Sequence, residues 1–276
     1  MIVELSFPCP AARGRREIVS ARRQPEEIYA RARDEGRRRL ARPVLELVAT
    51  ALVGGFDVAF GVVAFALTAG AIASSQLGHL AGALAFGIGF VFVVVGKSEL
   101  FTENFLVPIA GLERRSRASW LKLGELWAGT LLLNLVGGTA LAILVTSKGV
   151  LPGASHDELV RLAERLTSHS AVAELLSAVV AGALMTLMTW FVEGAAETSG
   201  VRIVMSWIVG ALIALGTFNH AIVSTIELVF GMRYGASVTV GELFSNLGLA
   251  IGGNLVGGLL LVTFARSAQA LAASSS

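Results

Sequence analysis

Apolar residues fall along the chain in six long runs, at about 44–73, 77–112, 123–147, 171–195, 203–232 and 241–265. Each is near or above the roughly 20 residues that a helix needs to cross the hydrocarbon core of a bilayer. Six transmembrane helices are therefore expected. Basic residues outside the runs collect in the N-terminal segment, at Arg114, Arg115, Arg117 and Lys122, and at Arg202 and Arg266. Lys and Arg concentrate on cytoplasmic loops, and six alternating spans then return both termini to the cytoplasm. The same alternation puts segment 148–170 outside, although it carries Lys148, Arg161 and Arg165. In that segment Ser155 and Glu158 fit a capping box and Leu159, Leu162 and Leu166 lie at helical spacing, which predicts a short interfacial helix.

Two of the runs are interrupted by polar residues. "GKSELFTEN" (Gly96 to Asn104) brings Lys97, Glu99, Thr102, Glu103 and Asn104 into the second run. A helix over 80–95 spans only about 24 Å at 1.5 Å per residue, against a core of about 30 Å. The pattern predicts two half-helices joined by a non-helical loop at membrane depth, which is tolerated where protein or a water-filled cavity meets it. Gly96 lets the backbone leave the helix, and Pro108 suits the start or a kink of the second piece. "TFNH" (Thr217 to His220) breaks the fifth run in the same way.

These breaks share a period with a second feature. Asn-Leu-Val-Gly-Gly stands at 134–138 and again at 254–258, 120 residues apart, while Thr102 and His220 are 118 apart. Two repeats of three spans, about 44–147 and 171–265, follow, and an odd number of spans inverts the second. Asn134 and Asn254 mark the repeat: each is placed to tie broken backbone by hydrogen bonds, and the glycines beside them, with Gly124, Gly129, Gly252 and Gly253, let helices approach closely. The expected fold is an all-α integral membrane protein of six transmembrane helices in two inverted three-helix repeats, the second and fifth helices interrupted. The expected division is a basic arm (1–43), a membrane domain (44–266) and a tail (267–276).

Composition agrees with that picture. Of 276 residues 54% are hydrophobic and 15% charged, and the mean hydropathy is +0.72, too apolar for a soluble domain. The net charge of +2 conceals eleven Arg against six acids in residues 1–43. That arm stays out of the bilayer, its helix starting near Pro25, and anchors orientation against anionic headgroups rather than nucleic acid. The single cysteine, Cys9, cannot form an intramolecular disulfide. Four His (79, 156, 169, 220) lack metal-ligand spacing, Gly96-Lys97-Ser98 lacks the upstream glycine of a phosphate loop, and no Gly-x-Ser-x-Gly elbow occurs. No enzyme, metal or cofactor is expected.

The candidate chemistry lies in the breaks. His220 is ionisable near the midplane, where such a residue usually faces a cavity, and Thr102, Asn219 and Lys97 accompany it. In this picture a weak-acid anion meets a hydrogen-bond donor, shares or acquires a proton there, and crosses apolar constrictions at reduced charge. Phe86 and Phe90, one turn apart, with Leu100 and Phe101, are the constriction candidates; core or lipid contact is their alternative role. Asp57 lies mid-span, with Lys97 as the expected partner of a buried charge pair, and Glu99 and Glu103 compete for that lysine. Glu193 and Glu197 are expected at a solvated rim.

"ELFTEN" in the second span, "FNHAIVS" in the fifth and "GNLVGG" in the sixth resemble the marks of the formate/nitrite transporter family, in a divergent, YfdC-like branch, over about 40–266. The resemblance implies an aquaporin-like fold assembled as a homopentamer in the inner membrane, with one pore per protomer passing small monovalent anions or their conjugate weak acids. It implies that Thr102 and His220 form the central polar pair, with Phe86, Phe90 and Leu100 at or near the constrictions. The family usually reads Phe-Glu-His-Ser-Ile-Ala-Asn where this chain has Phe218-Asn219-His220-Ala221-Ile222-Val223-Ser224. Leu166 falls near the place of the family's outer lysine. Losing that acid and that amide weakens the case for formate and nitrite as substrates, and Lys97 is placed to supply a replacement positive field. The alternative is a non-conducting scaffold or sensor of the same fold, its arm holding a partner.

Overall fold

The computed structural model describes residues 24–196 and 200–273; Cys9, Glu197 and the first 23 residues of the arm lie outside them. The described chain is all-helical. Helix α1 (Pro25–Leu40) starts on a proline whose missing amide hydrogen costs nothing there, with Glu26 and Glu27 in its first turn and Arg37, Arg38 and Arg39 in its last, all favourable to the helix dipole. Then follow α2 (Val44–Gly70), α3 (Ser75–Gly96), a 3-10 turn (Phe101–Phe105), α4 (Val107–Gly111), α5 (Arg117–Val145), α6 (Gly153–Thr167) and α7 (Ala171–Gly194). The chain closes with α8 (Gly200–Leu215), α9 (Ala221–Arg233), α10 (Val240–Leu255), a π-helical turn (Val256–Thr263) and α11 (Phe264–Ala273).

Among the described residues five stretches are long and apolar enough to cross a membrane: α2, α3, α5, α7 and the continuous Val240–Ala273. The fifth run supplies only the 16 residues of α8 before its break, about 24 Å. Helix α3 is longer than its sequence suggests. It begins at Ser75, where the Ser74 hydroxyl caps it by accepting from Leu77 N, and its 22 residues reach about 33 Å. Helix α6 lies where the leucine spacing placed it, with Leu159, Leu162 and Leu166 buried. Its expected capping box does not form: the N-cap is Pro152, which makes no side-chain cap, and Ser155 is buried with its amide donating to Pro152 O.

Both breaks use one backbone device. Helix α3 ends as Lys97 turns left-handed (φ 57°), and α8 ends as Thr217 does the same (φ 48°); among the described residues these are the only non-glycines with positive φ, and they stand 120 positions apart. The β-branched Thr217 is an outlier there. Such strain persists only where surroundings hold it, and here an asparagine does so each time. Asn134 accepts from Phe101 N (2.9 Å) and donates to Ala51 O (2.7 Å) and Glu99 O (2.9 Å). Asn254 accepts from Ala221 N (2.9 Å) and donates to Ala178 O (2.8 Å) and Asn219 O (3.0 Å).

Close helix approach repeats as well. A Cβ at Gly137 would strike Leu52 O, and one at Gly257 would strike Val179 O, whereas Gly124 and Gly252 face open space and take no part. Helix α1 also has a counterpart. It crosses α4 with Gly36 against Val107 and Gly111, as α6 crosses α9 with Ala163 against Gly231. The described part of the arm is thus packed into the protein as α6 is at the other end, not laid aside on headgroups.

Candidate functional site

The polar break after α8 places His220 as the N-cap of α9. Its Nδ1 accepts from Ile222 N (3.3 Å) and Val223 N (3.1 Å), satisfying two amides that a helix start leaves open. With Nδ1 an acceptor, the neutral ring carries its proton on Nε2, which lies 2.7 Å from Thr102 Oγ1 in the other break. The imidazole donates to the threonine oxygen, and the threonine hydrogen remains to serve a solute. Both side chains are fully buried. They are not copies of one position: the 120-residue shift that relates the asparagines carries His220 to Leu100 and Thr102 to Ile222.

Apolar side chains surround this pair. Phe90 and the His220 ring stand nearly perpendicular with centroids 6.1 Å apart, and Phe86 packs on Phe90 at 5.7 Å. Leu100 is fully buried in the same core, and Phe101 meets Phe105 at 5.1 Å, edge to face. One helical turn from Phe90, Val93 lines a cavity of about 750 Å³ that opens at the α1 end. Lys97 and Ser98 also line it, and so does Glu193, which is buried rather than set on a solvated rim.

Asp57 and Lys97 do not form the expected pair. Asp57 accepts from Ser98 Oγ at 2.6 Å, while the left-handed turn leaves Lys97 exposed at the cavity wall. Glu99 is held by two residues that its sequence neighbourhood does not reveal: Arg39 Nη1 reaches it at 3.0 Å and Arg42 Nη1 binds its other oxygen. Arg39 also donates to Asn104 Oδ1 (3.0 Å). Burial disfavours charge on Glu35, but hydrogen bonds and attraction from Arg38 and Arg39 outweigh that and hold its carboxyl down at about 2. The far end lacks this cluster. There Asn219, 2% exposed, stands 120 positions after Glu99, and neither of its amide atoms finds a hydrogen-bond partner.

Sequence reasoning missed Arg39, Arg42 and Glu227. Arg39 closes the last turn of α1 and Arg42 follows it in the short link to α2, but nothing local names their partner. Glu227 did carry a signal: it is the lone Asp, Glu, Lys or Arg of run 203–232. It is 5% exposed in α9.

The model of the formate/nitrite transporter family matches residues 26–268. The "Uncharacterized transporter YrhG" of Bacillus subtilis (strain 168) is 26% identical over 247 residues, covering 87% of this chain and 91% of that protein. "Inner membrane protein YfdC" of Escherichia coli (strain K12) is 23% identical, covering 93% of this chain and 83% of its own length. Among solved structures, a "Pentameric formate channel with formate bound" superposes with a TM-score of 0.69 at 19% identity, covering 82% of this chain and 97% of that one. At that identity the likeness speaks for the fold. The all-helical architecture thus matches that of a solved channel, and the family model spans nearly all of the described residues: the chain belongs to the formate/nitrite transporter family.

Proposed function

We propose that each protomer conducts a small monovalent anion or its conjugate weak acid along a path that passes between Thr102 and His220. The observation that carries this is the 2.7 Å contact between those two buried side chains, each delivered by a different break. Nothing about packing requires an imidazole and a hydroxyl amid Phe86, Phe90 and Leu100. A solute shedding water there needs hydrogen-bonding partners. Residues 44–266 then form the channel domain, with α8 and α9 together as one crossing, six crossings in two inverted repeats of aquaporin-like plan, and both termini cytoplasmic at an inner membrane. Lys97, at the wall of the cavity, supplies positive potential to an entering anion. The resemblance to a pentameric channel supports a homopentamer. A non-conducting scaffold would need a plug, and the Asp57–Lys97 pair that would have formed one is absent from the geometry.

The test is solute flux into proteoliposomes challenged with formate, nitrite and acetate, with His220→Ala beside the wild type. Flux through the variant is expected to fall roughly tenfold or more, equivalent to about 1.4 kcal/mol of barrier. Equal flux in the two preparations would remove His220 from the mechanism.

A further inference from the structure

A proton that travels with a weak-acid anion needs a group to hold it, and His220 is poorly placed for that task. Its Nδ1 is occupied by the amides of Ile222 and Val223. A second ring proton would displace both and put a cation at the N-terminus of α9, where the helix dipole opposes it. Nε2 is engaged with Thr102. The geometry builds His220 as a fixed neutral donor.

Glu227 has the opposite character. It follows His220 by seven residues on the same helix, so it lies within about 20° of the same face and about 10 Å farther along the axis. Ser224, whose Oγ accepts from His220 N at 3.0 Å, stands between them. Beyond Glu227 on that face comes Gly231, where α6 crosses. Glu227 is 5% exposed and has no hydrogen-bond or ion-pair partner among the described residues. Among the described residues no charged side chain pairs with it. A buried carboxyl left unpartnered at membrane depth is expensive to keep for packing alone, where a leucine would serve.

We infer that Glu227 is the proton-carrying residue of the path. A solute anion entering from the α6 end takes the proton of the Glu227 carboxylic acid, the new O–H bond of the solute forming as that of Glu227 breaks. The neutral acid passes between Thr102 and His220, and the carboxylate left behind recovers a proton from water at the α6 end. This assignment rests on the conduction proposed above.

Full-length protein in proteoliposomes with a trapped pH dye, formate as the probe and simultaneous current recording tests it. In the wild type, formate is expected to enter with about one proton and little current. Glu227→Gln is expected to lose roughly tenfold or more of the proton-linked flux, and Glu227→Asp to restore it to within about threefold. The proton-to-formate ratio does not depend on how much variant folds. A wild-type ratio in Glu227→Gln, a loss that Glu227→Asp does not restore, or proton-free formate current in the wild type would each overturn the role of Glu227 and leave conduction standing. No flux of formate, nitrite or acetate in the wild type would overturn conduction itself, and this inference with it.

Discussion

Asn134 and Asn254 each spend two hydrogen bonds on backbone that helix breaking has left open, and so make a polar loop tolerable in the membrane. Substituting alanine at Asn254 strands Ala221 N and Asn219 O, two buried groups at about 1–3 kcal/mol each. Asn254→Ala is expected to cost about 2–6 kcal/mol, and Asn134→Ala a similar amount, measured as denaturation midpoints in detergent. A loss below about 1 kcal/mol would mean that the breaks hold themselves. At this scale the sequence was partly legible. His220 and Thr102 announced themselves as polar residues in apolar runs, and the doubled asparagines announced their bonds. The Asp57–Lys97 pairing failed because the left-handed turn at Lys97 sends that side chain to the cavity and brings the Ser98 hydroxyl to Asp57 instead.

Helix α1 packs by shape as much as by charge. A side chain at Gly36 would collide with Val107 O, so Gly36→Leu is expected to lift α1 from α4 and raise trypsin cleavage around Arg39 and Arg42 by roughly tenfold or more. Unchanged cleavage would contradict the docking. The charge cluster adds a pH signature. Glu35 holds its proton only near pH 2, against an ordinary 4.5. A depressed carboxyl contributes stability fully above the unfolded value and loses it as pH falls through the folded one. Hydrogen-exchange protection of α1, corrected for intrinsic rate, should therefore stay level from pH 7 to about 5 and weaken only below about 4.5, toward 2. Loss of protection between pH 7 and 5 would argue against the cluster. The helix itself was readable from Pro25 and the charges at its two ends. Its partners were not, because Glu99 is 60 residues from Arg39 and a composition rich in arginine points equally well to lipid.

Across the whole molecule a single shift of 120 residues relates the left-handed turns, the asparagines and the glycine contacts at Gly137 and Gly257. The duplicated Asn-Leu-Val-Gly-Gly made that repeat legible, because identical backbone demands call for identical residues. What the repeat does not copy separates the two ends. Arginines clasp Glu99 at one, and the unpaired Asn219 and the lone Glu227 mark the other. The outer surface carries Trp120, Leu132, Leu144, Phe244 and Phe264 exposed, an exterior suited to lipid and to neighbouring copies. Native mass spectrometry from detergent is expected to give a mass near five times the 28.8 kDa chain; a monomer throughout would contradict the proposed assembly.

The central claim is that the two breaks meet on the route the solute takes. Cys9 is the single cysteine, so Thr102→Cys in a Cys9→Ser background puts one thiol beside His220. A small neutral thiol reagent such as methyl methanethiosulfonate should react there in proteoliposomes and cut flux roughly tenfold or more. Full modification of that thiol with undiminished flux would show that the solute passes elsewhere.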